Sequence, residues 1–210
     1  MPRRHRCFRG CRLGSWHRLN LPIVASRLIV NPLSIAGVYS VRRYRLGDER
    51  GSLARVFCAD ELTTAGWRGP VAQVNHSHTR RAGTVRGMHY QRPPHSETKL
   101  VTCLRGRAWD VALDLRAGSP TFRQWCAQEI SSDNCEALLI PPGCAHGFQA
   151  LSDDVELLYL HSAPYVPDAD AGVNPLDPLV IINWPLSITV MSDKDAQRPL
   201  LDACFGGLMP

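Results

Sequence analysis

Lysine is almost missing from this chain, with 22 of its 24 basic side chains being arginine. Acidic residues are absent from the first 47 positions, where ten arginines (3, 4, 6, 9, 12, 18, 27, 42, 43 and 45) stand unopposed. The formal charge of +5 is therefore misleading, because the 165 residues after position 45 carry 14 basic against 19 acidic side chains. That mildly acidic remainder offers no general phosphate-binding field, which argues against a nucleic-acid partner. Long apolar runs are missing as well. Even Leu21 to Val30 is interrupted by Pro22, Ser26 and Arg27, well short of the roughly 18 apolar residues that a spanning helix needs, so no membrane helix is expected. The eight cysteines lack the dense, regular spacing of a small secreted disulfide scaffold and read as reduced thiols of a cytoplasmic protein.

A length of 210 residues and 44% hydrophobic content suffice for one domain with a real core. Residues 1–40 read as a basic extension outside it, unfolded or a wrongly assigned start, because they show arginine bias without a sustained apolar period. His5, Cys7, Cys11 and His17 in that stretch fit no standard zinc-finger spacing. The domain itself is expected over 41–205. There the texture is one of short apolar alternations punctuated by Gly, Pro, Asn and Asp. Ala108 to Leu115 alternates with period two, Lys99 to Leu104 reads as its hairpin partner across Arg105-Gly106-Arg107, and strands follow at Glu136–Ile140 and Val155–His161. Short helices are expected near Asp60–Ala65 and Asp193–Arg198. The class is all-β, a jelly-roll sandwich or barrel with a few short helices.

Three clusters could carry chemistry: Gly83 to Gln91 with His89, the lone strand-head lysine Lys99, and Pro141-Pro142-Gly143-Cys144-Ala145-His146-Gly147-Phe148. The last has the Pro-x-Gly-x-x-His form with which cupin barrels place a metal-binding histidine. A cupin metal site also wants a Glu seven residues before the following turn glycine. Here that glycine is Gly106 and the residue is Lys99, an ammonium that removes a ligand and repels a divalent ion. His89-Tyr90-Gln91 supplies one imidazole where two are needed. A metal-dependent cupin oxidoreductase is thus disfavoured. A neutral imidazole and a buried ammonium instead suit proton abstraction beside a ketone, the cation holding the enolate oxygen. A tyrosine on a facing strand would return the proton from the other side and invert the carbon. Taken singly, each residue has a plainer role: a structural histidine, a solvated strand end, a core aromatic.

Together the motifs Arg86-Gly87-Met88-His89-Tyr90-Gln91, Lys99-Leu100-Val101, Asp110 to Arg116, Ser119-Pro120-Thr121-Phe122, Pro142 to Phe148 and Ser192-Asp193-Lys194-Asp195 resemble, in order and spacing, the dTDP-4-dehydrorhamnose 3,5-epimerase family. The resemblance runs from about Gly47 to Leu201. It implies a cofactor-free, metal-free cupin-like jelly roll, usually a homodimer, that inverts the carbons on both sides of the keto group of a nucleotide-linked 4-keto-6-deoxyhexose. By position it makes His89 the base, Asp195 its carboxylate partner, Lys99 the enolate-holding cation and Tyr159 the opposing acid. It assigns substrate contacts to Arg50, Gln73, Asn75, Arg86, Lys99 and His146, and weaker ones to Tyr165, Asp170 and Lys194.

The chain departs from the family pattern at Arg55, at Pro175-Leu176-Asp177-Pro178, at Cys144, at Leu160 and at Pro164-Tyr165. These positions bear on the sugar and the lid, and they leave open whether one or both carbons are inverted. The base, the cation and the acid are unaffected. Two further readings stand beside the 3,5-epimerase: a mono-epimerase of a related sugar nucleotide, and a sugar-nucleotide-binding barrel without catalysis.

Overall fold

Short apolar alternations broken by turn residues become strands, and the computed structural model, which describes residues 26–209, holds thirteen among those residues. They are β1 (Leu28–Pro32), β2 (Tyr39–Arg43), β3 (Arg45–Asp48), β4 (Gly51–Ala54), β5 (Gln73–Thr79), β6 (Val85–Gln91) and β7 (Lys99–Arg105). The rest are β8 (Arg107–Asp114), β9 (Trp125–Ser131), β10 (Glu136–Ile140), β11 (Cys144–Ala150), β12 (Val155–His161) and β13 (Asp170–Gly172). Two short helices, α1 (Ala59–Leu62) and α2 (Asp193–Ala196), fall in the two expected regions. A six-stranded sheet in the order β1-β2-β10-β7-β12-β5 faces a five-stranded sheet in the order β13-β6-β11-β8-β9, and every pairing is antiparallel. This is the jelly roll. The hairpin of β3 and β4 stands apart as its own small sheet.

The expected hairpin between Lys99–Leu104 and Ala108–Leu115 is not formed. Strand β7 pairs with β10 and β12, whereas β8 pairs with β11 and β9 in the opposite sheet. Gly106, at φ +75°, turns the chain through a corner between sheets, and a Cβ there would meet Ser152 Oγ at 2.6 Å. A corner and a hairpin both require positive φ, so the glycine alone does not distinguish them.

Packing occurs in three layers. Val101, Cys103, Ala112, Ile130, Leu138, Ile140, Phe148 and Leu157 fill the space between the sheets. Leu100, Leu139 and Leu160 point the other way, under Leu62 and Trp67 of the segment that contains α1. On the outside of the second sheet, Met88, Val111 and Leu113 are covered by Val173, Val180, Trp184, Leu201 and Phe205. Strands buried on both faces explain the unbroken apolar runs Leu100-Val101 and Leu138-Leu139-Ile140. Each fully buried aliphatic side chain contributes about 1.5–3 kcal/mol. In β8 the apolar row faces this outer cover, so the opposite row, with fully buried Asp110 and Asp114, faces inward.

The domain boundaries differ from expectation. Residues 28–40, read as part of an extension, begin the fold: β1 pairs with β2, and β2 joins the main sheet through β10. Glu61 Oε2 accepts from the backbone N–H groups of Arg27 and Leu28, both at 2.8 Å. Arginine bias masked two short strands. At the other end Leu208 N donates to Leu115 O at 2.6 Å, beyond the expected limit of 205. Residues 1–25 of the proposed extension, with His5, Cys7, Cys11 and His17, lie outside the described residues. Among the described residues no helix is long and apolar enough to cross a membrane, and Cys58, Cys103, Cys126, Cys135, Cys144 and Cys204 are free.

Candidate active site

Between the sheets opens a cleft of about 840 Å³. Its walls come from different sheets, and this division is what the chemistry needs. His89 on β6 and His146 on β11 are paired neighbours in the second sheet. Lys99 on β7, Tyr159 on β12 and Asn75 on β5 line it from the first. Gly87 permits the close approach of β6 and β11, since a Cβ there would lie 2.5 Å from Gly147 Cα.

His89 Nε2 hydrogen-bonds Asp195 Oδ1 at 2.6 Å. Asp195 sits in α2, whose N-cap Ser192 accepts from its backbone N–H at 3.1 Å. Burial opposes ionisation of Asp195. The hydrogen bond and charge of His89, the Gly87 N–H and Ser192 outweigh that penalty and hold its carboxyl below the usual range. With Nε2 committed to a carboxylate, Nδ1 is the ring nitrogen left to act as base.

Across the cleft the Tyr159 hydroxyl lies 3.2 Å from Ser77 Oγ. Burial pushes its phenol well above the ordinary value, against the opposing pull of Ser77. Such a phenol keeps its proton until a strongly basic carbon is presented. Its ring meets His146 edge-on, with centroids 5.9 Å apart. His146 Nε2 bonds Asp110 Oδ1 at 2.6 Å; burial pushes the Asp110 carboxyl up, and His146 counters it. Lys99 Nζ reaches the His89 carbonyl at 3.4 Å and Glu97 Oε1 at 2.9 Å.

Ten of the sequence-predicted residues line this one cleft: His89, Lys99, Tyr159, Asp195, Asn75, Arg86, His146, Tyr165, Asp170 and Lys194. Two do not. Gln73 lines a smaller adjoining pocket and accepts from the Tyr165 backbone N–H at 2.9 Å. Arg50 stands on the exposed β3–β4 hairpin, ion-paired with Asp48, and lines none of the cleft. Arg55, a family departure, pairs with Glu61 instead of facing the cleft. Sequence reading missed Glu97, His161 and Arg198, which do line it. Arg198 and Lys194 both bind Asp170 Oδ2, at 2.8 and 2.9 Å. Proximity to Lys99 in sequence was the available signal for Glu97, whereas His161 and Arg198 enter through pairing and chain return. Among the described residues no group of three or more His, Cys, Asp or Glu side chains converges as a metal site.

A jelly roll with a His–Asp pair on one wall and a cation and a phenol on the other defines a class, the cupin-like epimerases. Residues 32–203 match the family model of dTDP-4-dehydrorhamnose 3,5-epimerase, and the chain belongs to that family. It is 41% identical over 170 residues to the dTDP-4-dehydrorhamnose 3,5-epimerase of Sinorhizobium fredii, covering 80% of this chain and 87% of that one. It is 38% identical over 183 residues to the dTDP-4-dehydrorhamnose 3-epimerase of Streptomyces niveus, covering 86% and 88% of the two chains. The fold matches the crystal structure of a dTDP-6-deoxy-D-glucose-3,5-epimerase from Legionella pneumophila in complex with dTDP-4-keto-L-rhamnose. For that pair the TM-score is 0.79 and the identity 35%, with 84% of this chain and 94% of the other covered.

Proposed function

We propose that this protein inverts the carbons on both sides of the keto group of dTDP-4-dehydro-6-deoxyglucose without a cofactor. The observation that carries this reading is the opposition of His89, backed by Asp195, to Tyr159 across a single cleft that also holds Lys99. His89 Nδ1 takes the proton from the carbon beside the ketone. The C–H electron pair moves into the new C=C bond, the carbonyl pair moves to oxygen, and Lys99 holds the resulting enolate. Tyr159 then donates its O–H proton to the same carbon from the opposite face, and solvent restores both protonation states. Arg86, Asn75, His146, Tyr165, Asp170 and Lys194 hold the nucleotide sugar, the guanidinium of Arg86 suiting a diphosphate because its planar fork donates two parallel hydrogen bonds.

The protein acts as a homodimer in this proposal. Arg50 and Gln73 then serve the substrate from outside the cleft described, Arg50 through the exposed hairpin, whose Leu46 and Leu53 are open to solvent. Light scattering of the full chain should give twice the monomer mass, and Arg50→Ala should raise KM for the substrate with little change in kcat.

Incubation with substrate in deuterium oxide tests the main reading. Label should enter both carbons flanking the ketone, and its absence from both would overturn the proposal. Label at one carbon would support the second reading, a mono-epimerase, the activity named for the Streptomyces niveus relative at 38% identity.

A further inference from the structure

Beside Lys99 stands a carboxylate to which the proposed reaction gives no task. Glu97 lies in the loop before β7, with its side chain only 5% exposed. Its Oε1 is 2.9 Å from Lys99 Nζ, and its Oε2 accepts from Gln91 Nε2 at 3.1 Å. Gln91 is itself tied down: its amide also donates to the His95 and Pro164 carbonyls, and its Oε1 accepts from Val166 N. The carboxylate is therefore clamped from both sides.

A lysine ammonium has three N–H donors and a terminal bond that rotates freely. In Lys99 one donor goes to Glu97 and a second to the His89 carbonyl at 3.4 Å. The third is left for the cleft. Those two anchors come from the loop before β7 and from strand β6, and together they fix the rotation of the head group.

The titratable groups around Lys99 come from several elements: His161 and Tyr159 from β12, His89 from β6, and His146 and Cys144 from β11, with Asp110 of β8 behind His146. His161 Nδ1 is 3.9 Å from Glu97 Oε1. Burial first, and then the charge of Lys99, bring His161 down to about 4, so it is neutral at pH 7. Among the described residues Glu97 is the one carboxylate ion-paired with Lys99.

We propose that Glu97 is a positioning residue for the reaction, aiming the free N–H of Lys99 at the substrate oxygen. The inference rests on the enolate-holding role proposed above for Lys99. A lysine head stripped of its carboxylate anchor is free to turn away from the substrate.

Glu97→Gln keeps the volume and an acceptor oxygen but deletes the charge; Glu97→Ala deletes both. Both kcat and KM are measured in the full chain, with thermal unfolding and dTDP affinity as checks on folding. In Glu97→Gln kcat should fall about tenfold, with KM within about threefold. Glu97→Ala should lose about a hundredfold in kcat. The nearly isosteric Gln variant keeps the test valid even if the Ala variant fails to fold. A folded Glu97→Gln with wild-type kcat overturns the proposal. Lys99→Met separates the two ideas: slow turnover in Lys99→Met beside normal Glu97→Gln removes only the Glu97 assignment, whereas normal turnover in Lys99→Met removes the enolate reading itself.

Discussion

His89 and Asp195, 106 residues apart in the chain, share a 2.6 Å hydrogen bond. The contact exists because the C-terminal segment returns over the second sheet and ends its approach in α2, whose capping serine fixes the aspartate's backbone. One carboxylate oxygen faces the imidazole, and the other accepts from the Gly87 N–H at 3.4 Å. The base is thus oriented by a group whose own position is set by main-chain contacts.

Replacement by an amide should expose what that orientation is worth. Asp195→Asn keeps the shape but deletes the charge that stabilises the protonated imidazole, and it permits the ring to adopt the other tautomer. We expect kcat to fall by about 10²–10⁴-fold while nucleotide affinity changes little. Steady-state kinetics and calorimetric titration with dTDP measure the two quantities separately. A loss confined to affinity would mean that Asp195 binds substrate rather than orienting the base.

Tyr159 offers a sharper separation, because proton removal and proton return are assigned to opposite walls. In Tyr159→Phe the imidazole can still take a proton and give it back on the same face. Exchange of substrate hydrogen with deuterium oxide should therefore persist while inversion falls by about a hundredfold or more. Mass spectrometry reports the exchange and chiral product analysis the inversion. Equal loss of both would place Tyr159 in the first proton transfer.

Four strands and both short helices were legible because period two and turn residues are local signals, and Glu136–Ile140 and Val155–His161 have the bounds expected of them. What escaped was pairing. Lys99–Arg105 and Arg107–Asp114 are adjacent in sequence and lie in opposite sheets, a choice made by the partners β10, β11 and β12 rather than by the turn between them. Two strands inside an arginine-rich stretch were overlooked because charge there obscured Leu28, Val30 and Val41, which pack against the outer core. At the site, the family motifs led to the residues in the cleft, but Glu97 and His161 sit outside any motif. Their importance comes from register, in which His161 is the cross-strand neighbour of Lys99.

Lys99→Met retains the length of an apolar stem and removes the positive head. The enolate would then form without a cation beside its oxygen, and kcat should fall by roughly a hundredfold or more, with a smaller change in KM. Glu97 would be left as a buried, unpaired carboxylate, so the variant should also lose thermal stability. Combining Lys99→Met with Glu97→Gln should recover stability without recovering turnover. Recovery of both by the double variant would show that the charge of Lys99 is structural.

Acid sensitivity should be traceable to Asp114, a residue of the inward row of β8. Its side chain is fully buried, and burial alone would raise its pKa. Five donors reverse that: the backbone N–H, Nε and Nη2 of Arg116, at 3.0, 2.8 and 2.7 Å, and the hydroxyls of Ser119 and Thr121, at 2.5 and 2.7 Å. The result is a pKa of about 2 against an ordinary 3.8. Because the folded value is the lower one, this carboxylate contributes stability that is complete above about pH 4 and is lost as pH falls through about 2. The contribution is on the order of 2 kcal/mol, equivalent to roughly 4–8 °C in Tm for a domain of this size. Asp114→Asn should therefore lower Tm by at least that much at pH 7, and the gap to the unsubstituted protein should narrow as pH is taken from 4 to 2. Calorimetric scans of both proteins across that range decide the matter. A gap of constant width would assign the loss to hydrogen-bond geometry alone and not to the charge.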